Sequence, residues 1–130
     1  MRSVRVSSNG SRYGQDIEIR QFQLLADEPP DIGGDDTGPT PFEYILTGLG
    51  SCKAITVQMY AERKGWALES VTVDLRYEKQ ENGHRIYADL TVEGDLDEQQ
   101  RERLREISDR CPVQRLLTEP IQIETQLING

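Results

Sequence analysis

Thr40-Pro41-Phe42-Glu43 at one end and Arg63-Lys64-Gly65 at the other bracket the stretch whose reading decides the fold. Thr40 offers a hydroxyl N-cap, Pro41 suits the first helical position, and Glu43 stands three residues after the cap, where its carboxylate can reach back to the cap amide. Arg63 and Lys64 put cations on the last turn, and Gly65 suits the left-handed residue that ends a helix. The pattern predicts one long helix starting at Pro41. Ile45, Leu46, Leu49, Ile55, Val57, Met59 and Tyr60 spread around most of its circumference, so the helix is expected to be central rather than superficial. Gly48 and Gly50 each cost about 1 kcal/mol against alanine in a helix interior, which points either to close packing by another element or to access for a ligand.

Before this helix, Val4 and Val6, then Ile17 and Ile19, then Phe22, Leu24 and Ala26 alternate as in short strands, with Asn9-Gly10 and Tyr13-Gly14 marking a turn. Asp27 to Gly38, rich in proline, glycine and acidic residues, reads as an exposed loop. After the helix, Val71, Val73, Leu75 and Tyr77 alternate, Asn82-Gly83 turns the chain, and Ile86, Ala88, Leu90 and Val92 alternate in return: a hairpin with one buried face. Asp97 and Gln100 can cap a second helix whose Leu104, Ile107 and Cys111 share a face, and Pro112 biases Cys111 away from helical geometry and ends it. Ile121, Ile123, Thr125 and Leu127 alternate as a last strand. The expected fold class is α+β, in one domain spanning 1–130.

Acidic residues outnumber basic ones 23 to 15, for a formal charge of -8, which disfavours nucleic acid and anionic membrane surfaces as partners. No stretch approaches a membrane span or the apolar core of a signal peptide, so a cytoplasmic protein is expected. Two cysteines are too few for a disulfide framework, and any disulfide between them is expected to be transient. No metal or cofactor is expected: Cys52, Cys111 and the lone His84 lack the close spacing of a zinc site, and Asp35-Asp36 after Gly33-Gly34 would repel phosphate. His84 falls in the hairpin turn and is expected to be solvated there.

Chemistry therefore rests on Cys52 and Cys111. Free cysteine is commonly a small buried hydrophobe, and that reading stands beside a redox pair. Glycines around Cys52 and a second cysteine at a helix end favour the pair, because an oxidisable thiol needs both access and a resolving partner. Cys52 lies too far into its helix for the macrodipole to ionise it, and at an unperturbed pKa only about 3 % would be thiolate at pH 7. A cation brought in by tertiary contact is required, with arginine the natural candidate. Lowering the pKa by about three units would raise the thiolate fraction roughly 30-fold and cut intrinsic nucleophilicity roughly 20-fold, so such a cation must act mainly by orienting substrate and stabilising a departing oxygen.

The run Gly33-Gly34-Asp35-Asp36-Thr37-Gly38-Pro39-Thr40-Pro41-Phe42-Glu43, with Leu49-Gly50-Ser51-Cys52, Tyr60-Ala61-Glu62-Arg63-Lys64-Gly65-Trp66 and Arg110-Cys111-Pro112-Val113, resembles the OsmC/Ohr family, and its OsmC-like branch most closely. The resemblance covers nearly the whole chain. It implies antiparallel sheets packed on a long central helix plus a second helix, in an intertwined homodimer. It further implies a thiol-dependent peroxidase of the stress response: Cys52 attacks an organic hydroperoxide, Cys111 resolves the sulfenic acid as a disulfide, and a dihydrolipoyl-type dithiol restores the thiols. Gly10-Ser11-Arg12-Tyr13-Gly14 matches the setting of the family's activating arginine with one change, which puts that role on Arg12, with Arg20 in reserve. Where the reductases carry an arginine-orienting glutamate, ten residues before the reactive cysteine, this chain has Phe42. Glu43 is explained as the capping acid, and Phe42, Tyr44 and Trp66 as ordinary core ahead of a pocket lining. Two other readings remain: a non-enzymatic binding or scaffold protein whose cysteines are buried hydrophobes, and an enzyme using the same thiolate on another electrophile.

Overall fold

The computed structural model describes residues 2–128; Met1 and Asn129–Gly130, the ends of the expected domain, lie outside the described residues. Contacts divide the chain into two compact units that meet between Thr47 and Gly48.

In the first unit β1 (Arg5–Ser8), β2 (Gln15–Ile19) and β3 (Phe22–Ala26) form an antiparallel sheet in that order, with Val6 opposite Ile17 and Ile17 opposite Leu24. Ile17 and Ala26 are its buried side chains. The following loop is built around the buried carboxylate of Asp27. It accepts hydrogen bonds from the Thr37 hydroxyl (2.7 Å), the Thr37 amide (3.2 Å) and the Glu28 amide (2.7 Å), and these donors hold its pKa below the usual carboxylate value. The loop folds back so closely that a Cβ on Gly34 would strike the Glu28 carbonyl, which accounts for glycine there.

The long helix forms as expected: α1 spans Pro41–Lys64. Its start is reciprocally capped, the Thr40 amide donating to Glu43 Oε1 (2.8 Å) and the Glu43 amide to Thr40 Oγ1 (3.2 Å). Gly65 follows with a φ of 69°. Only a stripe of α1 is buried: Leu49, Gly50, Lys53, Val57 and Ala61. Ile45, Ile55 and Met59 are exposed, which corrects the expectation of a helix covered on most sides.

In the second unit α1 continues into a long antiparallel hairpin, β4 (Ala67–Gln80) and β5 (Gly83–Asp95). Val71 faces Val92, Val73 faces Leu90, Leu75 faces Ala88 and Tyr77 faces Ile86, as the alternation predicts. Gly50 is the seat for Leu75: a Cβ there would lie 2.6 Å from Leu75 Cδ1, so the close-packing reading holds for this glycine, whereas Gly48 meets nothing within 4 Å. Next comes α2 (Glu98–Ser108), opened by the Asp97–Gln100 capping box. Val57, Ala61, Leu96 and Leu104 form the core, with Tyr60, Trp66, Leu68, Val71, Leu90 and Val92 packed around them. Trp66 meets the Tyr60 ring edge-on at 5.5 Å.

Two expectations fail past Ser108. Cys111 is extended, as a residue before proline should be, but α2 has already ended at Ser108 instead of at Cys111, and Pro112 opens a further helix, α3 (Pro112–Thr118), because proline at the first helical position loses no hydrogen bond. Beyond it, Ile121 to Leu127 form no strand and Ile123 is 83 % exposed. Alternation supplies a face, but a strand also needs an edge to pair with. Among the described residues no helix is long and apolar enough to cross a membrane.

Candidate active site

Cys52 faces inward from α1 only in part: its side chain is half-buried, one position before the buried Lys53. Cys111 is fully buried and serves as N-cap of α3, extended at φ -67° and ψ 142°, with its Sγ accepting from the Gln114 amide at 3.3 Å. Both cysteines are free thiols, and Cys52 lies close enough to Cys111 to act on its thiol. The fold thus brings together two sulfurs that lie far apart in sequence. One is partly open to solvent and the other is sealed.

Burial pushes the Cys111 thiol above its ordinary value, and the neighbouring Cys52 pushes the same way; the Gln114 amide and the charge of Lys53 oppose them. Cys111 is therefore a protonated thiol near neutral pH. An accessible sulfur beside a buried one suits attack on an external electrophile followed by internal capture.

The cation in this neighbourhood is Lys53, which the sequence reading overlooked. The residue is only 5 % exposed. Its ammonium donates to the Ser108 carbonyl (3.2 Å), to Asp109 Oδ1 (3.2 Å) and, in a short hydrogen bond, to Gln114 Oε1. Those acceptors match the three N–H groups of an ammonium, so the buried charge is fully partnered. A signal was available: Leu49, Lys53, Val57 and Ala61 recur every four residues, which places the lysine in the buried row of α1.

Arg12 and Arg20 both belong to the first unit. Arg12 is exposed in the β1–β2 turn, 5.1 Å from the Tyr13 ring centroid and beside Gly33. Arg20 takes a positive φ of 53° in the β2–β3 turn, 5.0 Å from the Phe22 ring. Phe42, expected as core, is 58 % exposed on the first turn of α1. Tyr44 donates its hydroxyl to the Leu25 carbonyl, and Trp66 alone of the three aromatics joins the core cluster. His84 is exposed at the hairpin turn, its Nδ1 2.7 Å from the Tyr77 hydroxyl. Among the described residues no group of histidine, cysteine or carboxylate side chains could hold a metal ion.

The family model described as OsmC-like protein matches residues 33–126, a span that takes in both cysteines. Solved structures with the same fold include an OsmC-like protein from Mycoplasma pneumoniae, with 21% identity, a TM-score of 0.76, and 90% of this chain and 86% of that one covered. An organic hydroperoxide resistance protein OsmC from Legionella pneumophila matches with 18% identity and a TM-score of 0.66, over 91% and 89% of the two chains. The organic hydroperoxide resistance protein OhrB of Bacillus subtilis matches with 17% identity and a TM-score of 0.61, over 91% and 90%. No curated protein matches the chain in sequence. The family match takes in well over half of the sequence and the solved structures share the fold, an α+β arrangement of antiparallel sheets and helices of the OsmC-like class; the chain belongs to the OsmC/Ohr family.

Proposed function

We propose that the protein is a cytoplasmic, homodimeric thiol peroxidase that reduces organic hydroperoxides. The observation that carries the reading is the nearness of half-buried Cys52 to buried Cys111, close enough for each thiol to act on the other. The structural neighbours named for organic hydroperoxide resistance support the substrate class. The Cys52 thiolate attacks the distal peroxide oxygen; the O–O bond breaks, an S–O bond forms, and the alkoxide takes a proton and leaves as alcohol. Cys111 then attacks the sulfenic sulfur, the S–O bond breaks, and the departing hydroxide takes the Cys111 proton and leaves as water. A dihydrolipoyl-type dithiol reduces the resulting disulfide and is itself oxidised. Arg12 is assigned to orient the peroxide and stabilise the departing oxygen, with Arg20 in reserve, and with Phe42 in place of the family's orienting glutamate.

The whole 1–130 chain acts as one such domain, and two features of the chain support the homodimer. Ile55 and Met59 leave an apolar strip on α1, and the Ile121–Leu127 segment alternates as a strand does while lacking one to pair with. Steady-state turnover of cumene hydroperoxide with dihydrolipoamide tests the reading: it is expected for the native chain and abolished by Cys52→Ser. Unchanged turnover in that variant overturns it. The rival scaffold reading, with both cysteines as buried hydrophobes, is disfavoured by the partial exposure of Cys52.

A further inference from the structure

Lys53 reaches both sides of the buried cysteine. Its ammonium binds the Ser108 carbonyl and Asp109 just before Cys111, and the Gln114 side chain just after it. The backbone N–H of Gln114 in turn donates to the Cys111 sulfur. The lysine lies next to Cys52 in α1, so one side chain ties the helix bearing the first thiol to the segment bearing the second. A buried lysine is costly unless it is partnered, and a hydrocarbon side chain would fill the same row of α1 without that cost.

We propose that Lys53 is a positioning residue for Cys111: it clamps the α2–α3 connection to α1 and stabilises the thiolate that Cys111 must form to capture an oxidised Cys52. The inference rests on the peroxidase reading for its chemical step. The titratable groups acting on Cys111 are Cys52 and Lys53, both from α1. Asp109, which could offset the lysine charge, is shared with Arg105 at 3.2 Å and is half-exposed. In the resolving step the S–O bond of the Cys52 sulfenic acid breaks as the S–S bond forms, and water leaves with the proton from Cys111. Lys53 undergoes no net change in protonation and does not touch substrate.

The test needs no peroxide in its first arm. In Cys52→Ser chains, ultraviolet titration of Cys111 is compared with and without Lys53→Met. The lysine-free chain is expected to titrate about one unit higher, and Lys53→Arg to restore most of the difference. In the second arm, disulfide formation after one equivalent of cumene hydroperoxide is followed against pH. Lys53→Met is expected to slow it at least about threefold at pH 7 and to move its midpoint upward, while in a Cys111→Ser background, where no resolving thiol competes, trapping of the Cys52 sulfenic acid by dimedone changes less than about twofold. An unshifted midpoint overturns the proposal even if peroxide is still consumed, and a shift without peroxide consumption overturns the peroxidase reading alone. If Lys53→Met does not fold, Gln114→Met removes one tether and keeps the charge. Slower disulfide formation at every pH supports the clamp, and an unchanged rate refutes it.

Discussion

The Gln114 amide donates to the Cys111 sulfur at 3.3 Å, so the residue assigned to resolve the sulfenic acid is also the N-cap of α3. The proposed redox role and local stability are thereby joined in one side chain. Cys111→Ala removes both the capping acceptor and a buried sulfur, and is expected to lower stability by about 1–2 kcal/mol. Cys111→Ser keeps an acceptor at that position and should be the milder change. Urea unfolding of the two variants checks the order; equal losses would mean that the cap contributes nothing.

Asp27 makes stability depend on acid. Its folded pKa is depressed by the Thr37 hydroxyl first and the Glu28 amide second, so its contribution is fully present above the unfolded carboxylate value. That contribution is lost as pH falls through the lower folded value. Asp27→Asn is expected to melt below the native chain at pH 7, with the gap closing in the acid range below about pH 4. Thermal melts across pH 3–7 measure it, and a gap constant over that range contradicts the assignment. Gly34→Ala, which would drive a Cβ into the Glu28 carbonyl, should lower the melting temperature at every pH.

Leu104 is fully buried in the cluster that joins α1, α2 and the hairpin. Truncation to alanine leaves a cavity and is expected to cost about 2–5 kcal/mol. Because Leu104 touches neither sulfur's hydrogen bonds, the ability of the folded variant to form the Cys52–Cys111 disulfide should survive. Denaturant midpoints and thiol counts on one sample separate the two effects.

Much of the fold was legible because its signals are local. Thr40 and Glu43 cap each other within one turn, and the alternation from Val71 to Val92 around Asn82-Gly83 sets the hairpin register without help from elsewhere. Pro112 was read in one direction only, as a stop for the residue before it, although proline equally starts a helix. The strand expected at Ile121–Leu127 failed because strand formation depends on a partner edge, which a side-chain pattern does not specify. Within the site, Cys52 and Cys111 were legible as a candidate pair. Lys53 was not, since a lysine in a helix is ordinarily solvated and its burial follows from its place in the Leu49–Val57–Ala61 row.

The unequal exposure of the two thiols has its own readout. Native Cys52 is expected to react with maleimide and Cys111 to resist until the chain unfolds, because Cys111 has no exposed surface. Peptide mass mapping after brief labelling distinguishes them, and preferential labelling of Cys111 would contradict the geometry.

In the proposed cycle Cys52 takes the oxidising equivalent and Cys111 captures it. The most direct measurement is the thiol count and intact mass after one equivalent of an organic hydroperoxide, with dimedone present for the Cys111→Ser variant. The native chain is expected to lose both thiols to an intramolecular disulfide, and the variant to carry the dimedone adduct on Cys52 alone. Both thiols intact after exposure to the peroxide, or an adduct on the variant anywhere but Cys52, would contradict it.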